Sequence, residues 1–115
     1  MKLRQVIAAL EALPQDFVAS EGFGAPDSYR GSYDQIAFTP VRYVSVASML
    51  AHARAANGRT FTGYKGGEYT MDLDTTCWCA AYGDCGESDE IEPVLIKIIS
   101  VLTASASRSR DPGAK

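Results

Sequence analysis

Two short segments set a cation directly between a tyrosine and a glycine: Ser28-Tyr29-Arg30-Gly31-Ser32-Tyr33 and Phe61-Thr62-Gly63-Tyr64-Lys65-Gly66-Gly67-Glu68-Tyr69. A cation, an aromatic face and a bare backbone are the parts of a grip on a phosphate or another anion. Arg30 would fork onto the oxygens and Lys65 would add a point charge. Gly31, Gly66 and Gly67 would let backbone N–H groups approach, while Tyr29, Tyr33, Tyr64 or Tyr69 would stack on a base or ring. The chain has 115 residues and a formal charge of −3, so these two cations do not belong to a general basic coat. A plainer reading stands beside this one. Gly66-Gly67 is what any tight hairpin needs, a lysine at its tip is solvated, and tyrosines commonly flank sheets. Neither a Walker nor a Rossmann pattern is present.

Other residue types capable of chemistry are sparse. Cys77, Cys79 and Cys85 have the spacing C-x-C-x5-C, which offers zinc three ligands at an unusual separation, with His52, the only histidine, left to be the fourth. Cysteine is among the most buried residue types, so core packing is the expectation, and no metal or cofactor is expected. His52 falls with Ser45 and Ser48 on the polar side of a helix and has no evident nucleophile partner. Between Lys65 and Lys97 there is no Lys or Arg, but eight acids: Glu68, Asp72, Asp74, Asp84, Glu87, Asp89, Glu90 and Glu92. The 84–92 run lacks the order of an EF-hand. It suits either a solvated loop before a helix N-terminus or a docking face for a basic partner. Asp72 and Asp74 are same-side neighbours on an extended segment, which alone does not make a carboxylate pair for acid–base work.

The elements that must position these residues follow from periodicity. Leu3, Val6, Ile7, Leu10 and Leu13 form one helical stripe ended by Pro14. Phe17–Ala19 reads as a short strand. Residues 20–33, with three glycines, a proline, Asp27 and three serines, read as a long functional loop. Gln35–Thr39 reads as a strand ended by Pro40, with Val41–Val44 extending it or forming an edge piece. Ser45 is a good N-cap for a helix burying Val46, Met49, Leu50 and Ala53, with Gly58 as its left-handed stop. Thr60–Tyr64 and Glu68–Met71 read as a hairpin around Lys65-Gly66-Gly67, and Thr76–Tyr82 as a further strand with Cys77 and Cys79 on one side. After an acidic turn, Ile91, Val94, Leu95, Ile98, Ile99 and Leu102 recur at helical spacing, with Pro93 suited to the first turn. Residues 104–115 read as a flexible tail. The expectation is a single α+β domain over 1–103, with a small antiparallel sheet of four to five strands and about three helices packed against it.

Composition narrows the function classes. The apolar content of 46% and charged content of 22% are those of a globular domain. The acidic balance argues against broad nucleic-acid binding. The N-terminus lacks the apolar run of a signal peptide, and no stretch approaches the roughly 18–20 apolar residues of a membrane span. A cytoplasmic protein with reduced thiols is expected, with no membrane partner.

Ser28 to Pro40 reads S-Y-R-G-x-Y-x-x-x-A-F-x-P, and Phe61 to Met71 reads F-T-G-Y-K-G-G-x-Y-T-M. These patterns resemble those of small uncharacterised proteins encoded by tailed bacteriophages and prophages, over residues 1 to about 102. Those relatives also begin with a leucine-rich helix ended by Leu-Pro, here Leu13-Pro14. Cys77-Trp78-Cys79 and the C-terminal tail lie outside the pattern. The resemblance implies a context, a bacterial host cell, rather than a mechanism. Small acidic phage proteins commonly act by binding: some sequester nucleotide signals of host defence, and others block a host enzyme. The leading expectation is therefore a non-enzymatic binder of a small phosphorylated or nucleotide-like ligand. A domain of this size has little room for a deep pocket, so one version of it is a homo-oligomer with the site between subunits. The alternative is an interaction module, or an inhibitor of a host protein, that uses the acidic 84–92 region.

Overall fold

The computed structural model describes residues 1–28, 35–62, 67–79 and 90–109. Among the described residues three helices and five strands follow one another as α1 (Leu3–Glu11), β1 (Val18–Ser28), β2 (Ile36–Ser45), α2 (Val46–Ala56), β3 (Thr60–Thr62), β4 (Glu68–Thr70), β5 (Cys77–Cys79) and α3 (Glu92–Ser109). The protein is thus mixed α+β. The strands divide between two sheets, β1-β2-β5 and the hairpin β3-β4, instead of forming one sheet of four to five strands. The larger sheet is also mixed: β1 and β2 are antiparallel, but β5 runs parallel to β2.

The expected single sheet is interrupted at Asp72–Thr75, between the hairpin and β5. There the Asp72 carboxylate accepts from the Asp74 N–H at 2.8 Å, and the Thr75 hydroxyl accepts from the Asp72 N–H at 2.8 Å. This local side-chain turn redirects the chain away from β4. The N-terminus then captures it. Leu3 N–H donates to Thr75 O, Arg4 N–H to Leu73 O and Cys77 N–H to Met1 O, at 2.8–2.9 Å. Ile36 N–H donates to Thr76 O at 2.9 Å, which seats β5 beside β2.

The largest departure from expectation is β1. Residues 20–28 were expected in a loop, and they are strand, paired with β2 from Val18↔Ser45 to Ser28↔Ile36, with a bulge between Phe23 and Pro26. The glycines there serve close packing and not turning. A Cβ on Gly22 would lie 2.5 Å from Val44 Cγ1 and 2.8 Å from Met49 Sδ, and one on Gly24 would lie 2.9 Å from Val41 Cγ2. Pro26 sits at the bulge, where a ladder N–H is dispensable. Pro40, expected to end its strand, pairs with Phe23 inside β2, which continues to Ser45.

The helices form as their stripes dictate. α1 buries Leu3, Val6 and Leu10, and the Gln15 amide donates to the Leu10 and Leu13 carbonyls just beyond its end. Ser45 caps α2, its hydroxyl accepting from Ser48 N–H at 3.1 Å, and Gly58 follows with φ +81°, the left-handed conformation that glycine tolerates best. α2 packs on β1, β2 and α1, and α3 packs on β1. α3 continues through Ser109, past residue 103. The core is continuous, with Phe23, Ile36, Phe38, Met49, Met71, Ile91 and Leu95 all almost fully excluded from solvent. Among the described residues no helix is long and apolar enough to cross a membrane.

Candidate functional site

Of the residues that the sequence marks as an anion grip, Tyr29, Arg30, Gly31, Tyr33, Tyr64, Lys65 and Gly66 lie outside the described residues, as do Cys85 and positions 84–89 of the acidic run. Gly67 is described and half-buried. A Cβ there would come within 2.9 Å of the Tyr69 hydroxyl, so bare backbone and an aromatic ring do meet at this position.

The flanks of both segments are well defined. The first leaves Ser28 and returns through Gln35 to Ile36, the residues that pair at the end of β1 and β2. Trp78 Nε1–H donates to Gln35 Oε1 at 2.8 Å, which fixes the returning chain on β5. The second segment joins Thr62 to Glu68, which pair across β3 and β4. At the other end of that hairpin the Thr60 and Thr70 hydroxyls are 2.9 Å apart, and the Arg59 guanidinium lies 4.7 Å from the centre of the Phe61 ring.

Gln35 and Thr70 line one polar hollow of about 350 Å³, together with Asp72, Asp74, Thr75 and Thr76. Its two carboxylates are already engaged. Asp72 holds the turn described above. Asp74 accepts from Arg4 Nε at 3.0 Å and Nη2 at 2.9 Å, with Lys2 Nζ at 3.8 Å. These exposed pairs each contribute only about 0–1 kcal/mol, but they balance the charge of Asp74. What is left in the hollow is the Thr76 hydroxyl and the Gln35 amide group beside the Asp72 carboxylate, whose charge no cation among the described residues balances.

A second cleft, of about 380 Å³, opens between β1, β2 and α3. It is lined by Gly22, Val41 and Val94 with Glu21, Arg42 and Lys97. Lys97 Nζ lies 3.1 Å from Glu21 Oε1. The sequence does not announce this cleft, because Glu21 falls in the segment that reads as a loop and its ion-pair partner Lys97 is far away in the chain. The visible sign was only Lys97, the lone cation on an otherwise apolar helical run.

Cys77 and Cys79 share one face of β5 and are both buried. Burial pushes the Cys77 thiol up to about 12, and its Sγ lies 3.7 Å from Thr75 O. A protonated, enclosed thiol is a packing residue and neither a nucleophile nor a ready metal ligand. Among the described residues no three His, Cys, Asp or Glu side chains are grouped to hold a metal ion. His52 is half-buried on α2. Compared with protein-family models, curated proteins and solved structures, the chain matches none.

Proposed function

We propose that this chain is a non-enzymatic binding protein for a small phosphorylated or nucleotide-like ligand, held by Arg30 and Lys65 with Tyr29, Tyr33 and Tyr64 against its ring and Gly31, Gly66 and Gly67 shaping the backbone. The observation that carries this reading is the shared hollow. Gln35, two residues past Tyr33, and Thr70, directly after Tyr69, line it together. The described residues that follow the two segments thus border one polar space, whose hydroxyl and amide groups suit the sugar and base edges of a nucleotide. In the tailed-phage context that the motifs suggest, such a protein is an accessory factor of the host cytoplasm that sequesters a nucleotide signal of host defence.

Arg30→Ala removes a fork of charge-assisted hydrogen bonds worth about 1.5–3 kcal/mol, a loss of roughly 10–100-fold in affinity. The measurement is calorimetry with a panel of nucleoside mono-, di- and triphosphates, preceded by native mass spectrometry of gently purified protein to detect a carried ligand. Loss of affinity with an unchanged melting temperature is expected. Equal affinity in wild type and variant overturns the assignment of Arg30.

The exposure of Glu90 and Glu92 at the start of α3 favours a second reading, a docking face for a basic host protein built on the acidic 84–92 run. Charge reversal at Glu87, Asp89 and Glu90 separates the two. It abolishes partner capture under the docking reading and leaves nucleotide affinity intact under the leading one.

We also propose that the protein self-associates through α3. Ile96 and Ile99 are 60% and 42% exposed, and with Thr103 they continue one stripe at spacings of three and four residues. An antiparallel second copy would set this stripe against its own symmetry mate. Ile96→Glu is expected to turn a sedimenting dimer into a monomer with the fold intact. A wild-type chain that sediments as a monomer at all concentrations removes this contact.

A further inference from the structure

We infer that the cleft between β1, β2 and α3 is a second binding site, for a small amphiphilic carboxylate. It is separate from the polar hollow and independent of the nucleotide reading. Three observations converge on it.

The first is a cation without a counter-charge among the described residues. Glu21 and Arg42 are direct partners in the β1–β2 register, the arrangement in which opposite charges normally pair across strands. The Glu21 carboxylate instead lies on Lys97 at 3.1 Å. The Arg42 guanidinium rests 5.7 Å from the centre of the neighbouring Tyr43 ring, and among the described residues it has no carboxylate within ion-pair distance. Among the described residues two cations and one carboxylate line the cleft, an excess of one positive charge.

The second is the local backbone. Tyr43 has φ +56°, the left-handed region that a bulky residue rarely adopts. Alternation is lost around it: Pro40, Val41, Arg42 and Tyr43 are all exposed, where a regular half-buried strand would hide every second side chain. The same departure lets the adjacent residues Val41 and Arg42 both line the cleft. Strained backbone maintained on a surface is a recurrent mark of a functional position.

The third is the lining. Gly22, Val41 and Val94 give the cleft an apolar body beside its charged rim. Its volume of about 380 Å³ falls at the small end of ligand pockets, about 300–1,000 Å³. An apolar body with a single net positive charge matches a ligand with an aliphatic or aromatic tail and a monoanionic head. Arg42 offers the planar fork that a carboxylate accepts in bidentate fashion. A phosphate monoester, which carries more than one negative charge at neutral pH, would meet the Glu21 carboxylate with a charge unmatched.

The test is calorimetric titration of the full chain with octanoate, acetate, octylamine and octyl phosphate. Saturable binding of octanoate is expected, with none for acetate, which lacks the tail, or octylamine, which has the wrong charge. Octyl phosphate should bind more weakly than octanoate. Arg42→Ala should weaken octanoate at least tenfold, and Val41→Asp, which places a carboxylate in the cleft, should abolish binding. Arg42 is exposed, so circular dichroism and the melting temperature of Arg42→Ala should be unchanged; Val41 also packs over Gly24, so circular dichroism establishes that Val41→Asp is folded before its binding is read. Arg30→Ala should leave octanoate affinity as it was, which keeps this site distinct from the nucleotide site. The proposal is overturned if octanoate does not saturate, if octylamine binds as well, if octyl phosphate binds more tightly, or if the Arg42 and Val41 variants bind octanoate like wild type.

Discussion

Truncating Phe38 to alanine is expected to destabilise the protein by about 3–5 kcal/mol, the range for emptying a buried phenylalanine site. Phe38 is fully excluded from solvent, and its ring stands 4.7 Å from that of Phe23 at a tilt of 40°. This geometry adds an aromatic term of about 0.5–1.5 kcal/mol to the burial itself. The position is also the one where the larger sheet is joined. Phe38 pairs with Pro26 of β1 just past the bulge and with Cys79 of β5 on its other side. A hole at this point cannot close by moving one neighbour, because the backbone of β2 is held on both edges. Domains of this kind have a net stability of about 5–15 kcal/mol, so the variant should show a large fall in its urea midpoint. The slope of the transition should be preserved if the loss is one of packing alone. Phe38→Leu, which keeps most of the volume, should recover much of the difference. A fall below about 1 kcal/mol for the alanine variant would mean that the Phe23–Phe38 pair does not form.

What could be read in the sequence, and what could not, divides by the range of the interactions involved. α1 and α2 were legible because a helix buries residues at fixed local intervals: Leu3, Val6 and Leu10, then Val46, Met49, Leu50 and Ala53, all lie in the core. The cap at Ser45 is local chemistry too and forms as anticipated; Gly58 takes its positive φ, but after an extended Asn57 and with its N–H on Met71 O instead of on the helix. β1 was not legible because Gly22, Gly24 and Pro26 look like loop punctuation until Val44, Met49 and Val41 are known to press against the strand. The parallel pairing of β5 rests on three register pairs and on bonds from Met1 and Ile36, none of which leaves a mark in the local pattern of residues 76–82. The same limit applied to the candidate sites. The tyrosine–cation–glycine segments announce their chemistry in a few consecutive residues, so composition alone marked them. Gln35 and Thr70 carry no such mark, and their shared hollow emerges only once β2 and β4 are in place. The Glu21–Lys97 pair, which spans the gap between β1 and α3, belongs to the same class of long-range facts.

Cys77 should make the protein sensitive to alkali in a way that a single substitution removes. Its thiol is held up to about 12 from an ordinary 9.0, with burial as the main cause and the N-terminal charge acting weakly in the opposite direction. The folded state therefore keeps a proton that the unfolded chain releases. Because the folded value is raised, the contribution is fully present below pH 9 and is lost as the pH climbs toward 12. Across that window the unfolded chain gains a thiolate that the fold cannot accommodate, and stability falls by about 1.4 kcal/mol per pH unit, or roughly 4 kcal/mol in all. The tyrosines and lysines titrate in the same range, so the decisive quantity is the difference between wild type and Cys77→Ala. The variant begins less stable at neutral pH, having lost a buried sulfur atom. Its decline with alkali should be shallower, so the two stability curves converge or cross between pH 9 and 12. The same enclosure predicts that at neutral pH Cys77 reacts with thiol reagents only through opening of the fold, at a rate that rises with denaturant. Curves that stay parallel through the alkaline range would show that the Cys77 thiol is in contact with water, and that the start of β5, which the Met1 carbonyl holds in place, is open to solvent.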